Sequence, residues 1–152
     1  MVSESAIEIV VNTVSASNAL LRASRKVFRP FGISEAQFNV LQVLQDNDDQ
    51  LSQRELSDIL IVDRSNITGL IDRMEKAEWV KRQSVPGDRR AYRVALTPEG
   101  RRLWRQAYTA YVQAIARVTV NLTPAQMRAV STALPVLERS ARALELELAA
   151  AE

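Results

Sequence analysis

The stretch Asp63-Arg64-Ser65-Asn66-Ile67-Thr68-Gly69-Leu70-Ile71-Asp72-Arg73-Met74 decides how the rest of the chain is read. Its apolar residues Ile67, Leu70, Ile71 and Met74 recur at three- and four-residue steps, the spacing of one buried helix face. Asp63 can cap the start of that helix through its carboxylate. Short polar side chains open it, and Arg73 follows on the cationic free side. A helix laid in the major groove of duplex DNA needs this composition: side chains short enough to reach base edges, with donors for phosphates beside them. Arg64 can take a guanine edge in bidentate fashion, Asn66 can do the same for adenine, and Ser65 and Thr68 can donate to bases or phosphates. Asp63, Ser65 and Asn66 are equally ordinary capping residues. Gly69 costs about 1 kcal/mol of helix propensity relative to alanine. A close approach of the backbone to DNA, or to a neighbouring helix, would account for it.

Working outward, Ser52 and Glu55 form a capping-box signal ahead of Leu56, Ile59 and Leu60, which predicts a short helix just upstream. Two short helices joined by a tight turn, the second cationic on its free face, make a helix-turn-helix pattern. Before them, Ser34 with Gln37 opens a helix bearing Phe38, Val40, Leu41 and Leu44. A long helix over residues 4–28 precedes that one and ends at Pro30 and Gly32. Downstream, residues 80–85 and 92–96 alternate partly between apolar and polar, with Pro86-Gly87-Asp88 near the turn between them. This predicts a hairpin whose loop carries Arg89 and Arg90. A flexible arginine on a narrow tip suits the minor groove, although the same residues also make a solvated charged turn. Thr97-Pro98 restarts a helix running through Leu103, Trp104, Tyr108, Tyr111, Val112, Ile115 and Val118. Thr123-Pro124, with Gln126 completing a capping box, opens a last helix that contains Pro135.

Composition narrows the chemistry. The 152 residues include no Cys and no His, which excludes disulfides, thiolate chemistry and the commonest zinc ligands and general base. No paired carboxylates stand at a recognisable motif, no glycine-rich phosphate loop exists, and no nucleophile-base pair can be built without His. The expectation is no catalytic residues, no metal and no cofactor. No stretch approaches the roughly 20 apolar residues of a membrane helix, and the polar start does not resemble a signal peptide, so a cytoplasmic protein is expected. The net charge of +2 is unevenly spread. Residues 63–105 hold eleven bases and six acids, whereas the remainder holds nine bases and twelve acids. A basic middle between acidic flanks is the footprint of a phosphate-facing module, and on charge alone it is equally a solvated surface.

The run Asp88-Arg89-Arg90-Ala91-Tyr92-Arg93-Val94-Ala95-Leu96-Thr97-Pro98-Glu99-Gly100 resembles the wing signature of the MarR family of bacterial regulators. That signature has Asp, any residue, Arg, then Val-x-Leu-Thr and a Gly three residues after the Thr. Leu51-Ser52-Gln53-Arg54-Glu55-Leu56 is similar to the family's third helix, and residues 63–82 to its recognition helix and first wing strand. The resemblance implies a mainly α fold with a small β-hairpin wing: a winged helix-turn-helix over residues 34–100, flanked by long dimerisation helices over residues 1–33 and 101–152. It also implies a homodimer on a pseudo-palindromic double-stranded operator, with one recognition helix per subunit in the major groove and the wing in the minor groove. By residue, the resemblance places Ser65, Asn66 and Thr68 at base- or phosphate-contacting positions, Arg90 at the wing arginine, and Ser52 and Gln53 at the start of the helix that touches the backbone; the residues themselves add Arg64, Gly69, Arg73 and Arg89 as candidate DNA contacts and Asp88 as holding the shape of the tip. In three places the chain departs from the family's habits. Glu78 stands where Gly is frequent, so the helix end must differ or accept left-handed strain. Trp79 replaces a smaller aliphatic and is read as packing under the wing. Gly69 replaces a larger, often basic residue, which would shift the preferred operator.

The terminal helices carry apolar stripes, with Ile7, Val10 and Val14 at one end and Val130, Leu134, Leu137 and Leu144 at the other. A chain of this size cannot bury both on its own central module, so two copies are expected to pair through them. The leading expectation is a repressor released by a small aromatic or anionic effector, and the competing one a helical protein-interaction module whose basic wing meets an acidic partner.

Overall fold

The computed structural model describes residues 3–48, 51–60, 64–85 and 88–151. The order of elements is α1 (Glu4–Phe28), a 3₁₀ turn (Arg29–Phe31), α2 (Glu35–Asp46), β1 (Leu51–Ser52), α3 (Gln53–Leu60), α4 (Arg64–Lys76), β2 (Val80–Val85), β3 (Asp88–Leu96), α5 (Pro98–Thr119) and α6 (Pro124–Ala149). The fold is mainly α with a small antiparallel sheet, as the sequence pattern predicts. The proposed cap Asp63 and the turn residues Pro86 and Gly87 lie outside the described residues.

Local chemistry sets most of the boundaries. The Ser3 hydroxyl accepts from the Ala6 amide and opens α1. The chain leaves α1 through Arg29–Phe31, where Gly32 takes φ +69 in the left-handed region that glycine enters at no steric cost. Both halves of the capping box are formed at Ser34/Gln37 and at Thr123/Gln126. At α3 the Glu55 amide donates to the Ser52 hydroxyl, and the Ser52 amide donates back to the Glu55 carboxylate at 2.7 Å.

The sheet differs from a plain hairpin. Its strand order is β1-β3-β2, all neighbours antiparallel. The third strand is the two residues Leu51 and Ser52, paired with Val94 and Arg93. β2 pairs with β3 in the register Val80↔Leu96, Arg82↔Val94 and Ser84↔Tyr92, with an irregularity between Ser84 and Val85.

The core gathers α2, α3, α4, the inner sheet residues and one face of α5. Leu41, Leu44, Leu56, Ile71, Met74 and Val94 are completely buried. Phe28 is the one described residue of α1 that is buried. It stacks on Phe38 of α2 and Tyr111 of α5, with ring centroids 4.4 and 5.7 Å away. The indole N–H of Trp104 donates to Gln42 at 3.0 Å, tying α5 to α2. These contacts belong to the compact unit that runs to Val112. The second unit, residues 113–152, holds the end of α5 and all of α6, and none of the described α6 residues is buried.

The end of α4 answers the question raised by Glu78. The Trp79 amide donates to Met74 and the Glu78 amide to Glu75, the two bonds of a Schellman close. Glu78 sits at the left-handed position with φ +60, where glycine is the usual residue, and so accepts the strain. The Thr97 hydroxyl donates to the Glu78 carbonyl at 2.5 Å, which supports the turn from across the sheet. Trp79 is partly buried against the core, as its size suggested.

Candidate nucleic-acid interface

α4 buries Ile67, Leu70, Ile71 and Met74, all at or below 8% exposure, and this fixes which way the helix faces. Asn66, Thr68 and Arg73 are on the opposite side and exposed, and Gly69 is half-exposed among them. A Cβ placed on Gly69 would meet only the Arg73 guanidinium, at 3.4 Å, among the described atoms. Among the described residues no neighbouring helix packs against the glycine. Arg64 and Ser65 are the first two residues of α4, and their side chains lie outside the described set.

Ser52 and Gln53 sit where β1 becomes α3, half-buried. The Gln53 carboxamide donates to the Thr68 hydroxyl at 3.4 Å, so two of the residues singled out from sequence meet across the helix-turn-helix. Ser52 is engaged locally. Its amide, and secondly its hydroxyl, hold the Glu55 carboxyl below the usual carboxylate range, and the Arg93 charge adds to this. Asp88, Arg89 and Arg90 belong to β3, with Asp88 opposite Val85. Their side chains are outside the described set.

Arg82 of β2 was not singled out by the sequence reading. Its guanidinium forms ion pairs with Asp72 and Glu75 of α4. Its Nε donates to the Gln53 carboxamide oxygen at 3.2 Å, and its backbone amide donates to Glu75 at 2.9 Å. Burial pulls the Arg82 pKa down, but the hydrogen bonds and charges of Asp72 and Glu75 outweigh that and leave it raised. The signal was present in part: Asp72 and Glu75 lie three residues apart on one helix edge, a spacing that places them side by side. Choosing their partner among Lys81, Arg82 and Arg93 requires the strand register.

Among the described residues no group of acids could hold a metal ion, and no helix is long and apolar enough to cross a membrane.

A sequence profile described as MarR family matches residues 31–91, from the end of the 3₁₀ turn that follows α1 into β3. The HTH-type transcriptional regulator PecS of Dickeya dadantii is 31% identical over 108 residues, 69% of this chain and 65% of PecS. The chain thus spans a little under two thirds of that relative's length. The uncharacterised HTH-type regulator YfiV of Bacillus subtilis is 32% identical over 108 residues, 71% of this chain and 67% of its own. Among solved structures, mutant MarR from E. coli complexed with operator DNA superposes with a TM-score of 0.76 at 26% identity, covering 86% of this chain and 94% of that one. With a polar helix edge beside a three-stranded wing, and with these relatives, the chain belongs to the MarR family of winged helix-turn-helix transcriptional regulators.

Proposed function

We propose that the protein is a sequence-specific, double-stranded DNA-binding transcription regulator, acting in the cytoplasm as a repressor that a small aromatic or anionic molecule releases. The observation that carries this reading is the orientation of α4. Its apolar stripe is turned into the core, which puts Asn66, Thr68 and Arg73 on the exposed edge that would enter a major groove. Residues 34–100 form the reading module on this view. Ser52, Gln53, Arg64, Ser65, Gly69, Arg89 and Arg90 complete its contact set, and Asp88 steadies the wing.

Residues 1–33 and 101–152 supply the dimer. Ile7, Val10 and Val14 are 56, 52 and 55% exposed, and Val130, Leu134 and Leu144 are 46, 44 and 53% exposed, with Leu137 half-buried. Burial of such residues between two copies would pair the reading helices on a pseudo-palindromic site. An effector releases the complex only by binding the non-reading arrangement more tightly than the reading one.

The test is selection of duplexes from a pool with a randomised core, followed by affinity measurement on the selected and a scrambled duplex at several salt concentrations. The expected result is an enriched inverted repeat bound at least about a thousandfold more tightly than the scrambled duplex. For Arg90→Ala the expected result is a weaker complex whose salt slope is smaller by about one. Weak binding indifferent to sequence would reject the regulator reading.

A further inference from the structure

Arg82 is bonded to three acceptors from two elements at once: Asp72 and Glu75 of α4, and Gln53 at the start of α3. A guanidinium carries only donors, so the Gln53 group facing it must be the carbonyl oxygen. The carboxamide is therefore held in one orientation, with its NH2 turned away from Arg82. One of its two hydrogens goes to the Thr68 hydroxyl, and no bond from the other to a described residue competes with a base edge. A free glutamine can read adenine through both ends, accepting from N6 and donating to N7. A glutamine whose oxygen is drawn to a guanidinium leads with its N–H end, which suits an acceptor on a base edge: N7 of either purine, guanine O6 or thymine O4.

We infer that Arg82 is a positioning residue that sets the base preference of Gln53, turning its N–H end toward Thr68 so that it meets a base edge donor first. Arg82 itself does not touch DNA. Its side chain is only 23% exposed, and its charge is consumed by two carboxylates that would otherwise repel phosphates from α4. The inference rests on the DNA-reading assignment above and adds to it a chemical direction for one contact.

The experiment uses the full-length protein and the same randomised duplex pool, with Arg82→Lys and Arg82→Met beside the wild type. A lysine at this site still pairs with the two carboxylates but cannot reach Gln53 with a second, fixed donor. It therefore separates folding from readout, whereas methionine leaves Asp72 and Glu75 unpaired. Expected for Arg82→Lys is a melting temperature close to wild type and an unchanged salt slope. At one position per half-site the base preference should relax by about fivefold or more, the loss of one base contact. Retention of the wild-type base preference at every position by both variants, with only the melting temperature altered, would overturn the inference and leave the regulator reading standing. A uniform loss across sequences with a shallower salt slope would place Gln53 on a phosphate and also overturn it. A wild type that enriches no motif would remove both readings together.

Discussion

Replacing Gly69 by alanine sets stability against DNA binding within one residue. The position is in the interior of α4, away from either end, so alanine gains helix propensity of about 1 kcal/mol. The added methyl meets nothing closer than the Arg73 guanidinium at 3.4 Å, an ordinary contact with the movable end of a flexible side chain. Little of the gain is therefore lost to crowding. For a chain of 152 residues the melting temperature should rise by about 2–4 °C, measured by circular dichroism at one fixed protein concentration because pairing contributes to stability. The same methyl stands on the edge that carries Asn66 and Arg73. If that edge enters the groove, affinity for the selected duplex should fall about tenfold or more although the protein is more stable. A melting temperature that drops would refute the packing argument. A variant that is more stable and binds as the wild type does would remove Gly69 from the contact surface.

Gly100→Ala should behave in the opposite way. Its Cβ would stand 1.9 Å from the Trp79 carbonyl oxygen, a backbone atom that cannot swing aside, so a loss of about 3 kcal/mol is expected, visible as a melting temperature lower by roughly 6–12 °C. Ser52→Ala should cost about 1 kcal/mol at neutral pH by removing the α3 cap. The Glu55 carboxyl lies below its unfolded value, so its stabilisation is complete above the usual carboxylate range and fades as pH falls through the folded value. Because the Ser52 amide, the larger cause, remains in the variant, melting curves taken from neutral to acid pH should flatten only in part on the acid side, and an identical slope would refute the hydroxyl's share. Val10→Glu combined with Leu144→Glu puts charges on two exposed apolar faces and should yield monomers in sedimentation equilibrium that no longer hold an inverted repeat. Intact dimers would place the pairing surface elsewhere.

The helices were legible because their signals are local. Capping boxes at Ser34 and Ser52, Thr-Pro starts at Thr97 and Thr123, and the stripe from Ile67 to Met74 each depend on residues within one or two turns. What escaped depends on distance along the chain. β1 is two residues long, too short for alternation to register, and exists only because β3 lies beside it. Arg82 was counted as one cation in a basic middle, yet its charge is spent internally on Asp72 and Glu75. Conversely, the reason for two signature positions becomes visible only in three dimensions. Thr97 receives the Gly100 amide and donates to the carbonyls of Glu78 and Trp79, and Gly100 is small because the first turn of α5 rests on Trp79.

That last junction has a mechanical consequence. A backbone pressed on a backbone, with one hydroxyl bridging both sides, has no side chain that could bend and absorb a displacement. The first turn of α5 and the root of the hairpin therefore behave as two gear teeth already in mesh. A tilt imposed on the first turns of α5 would be passed on to the root of the hairpin rather than taken up at the junction.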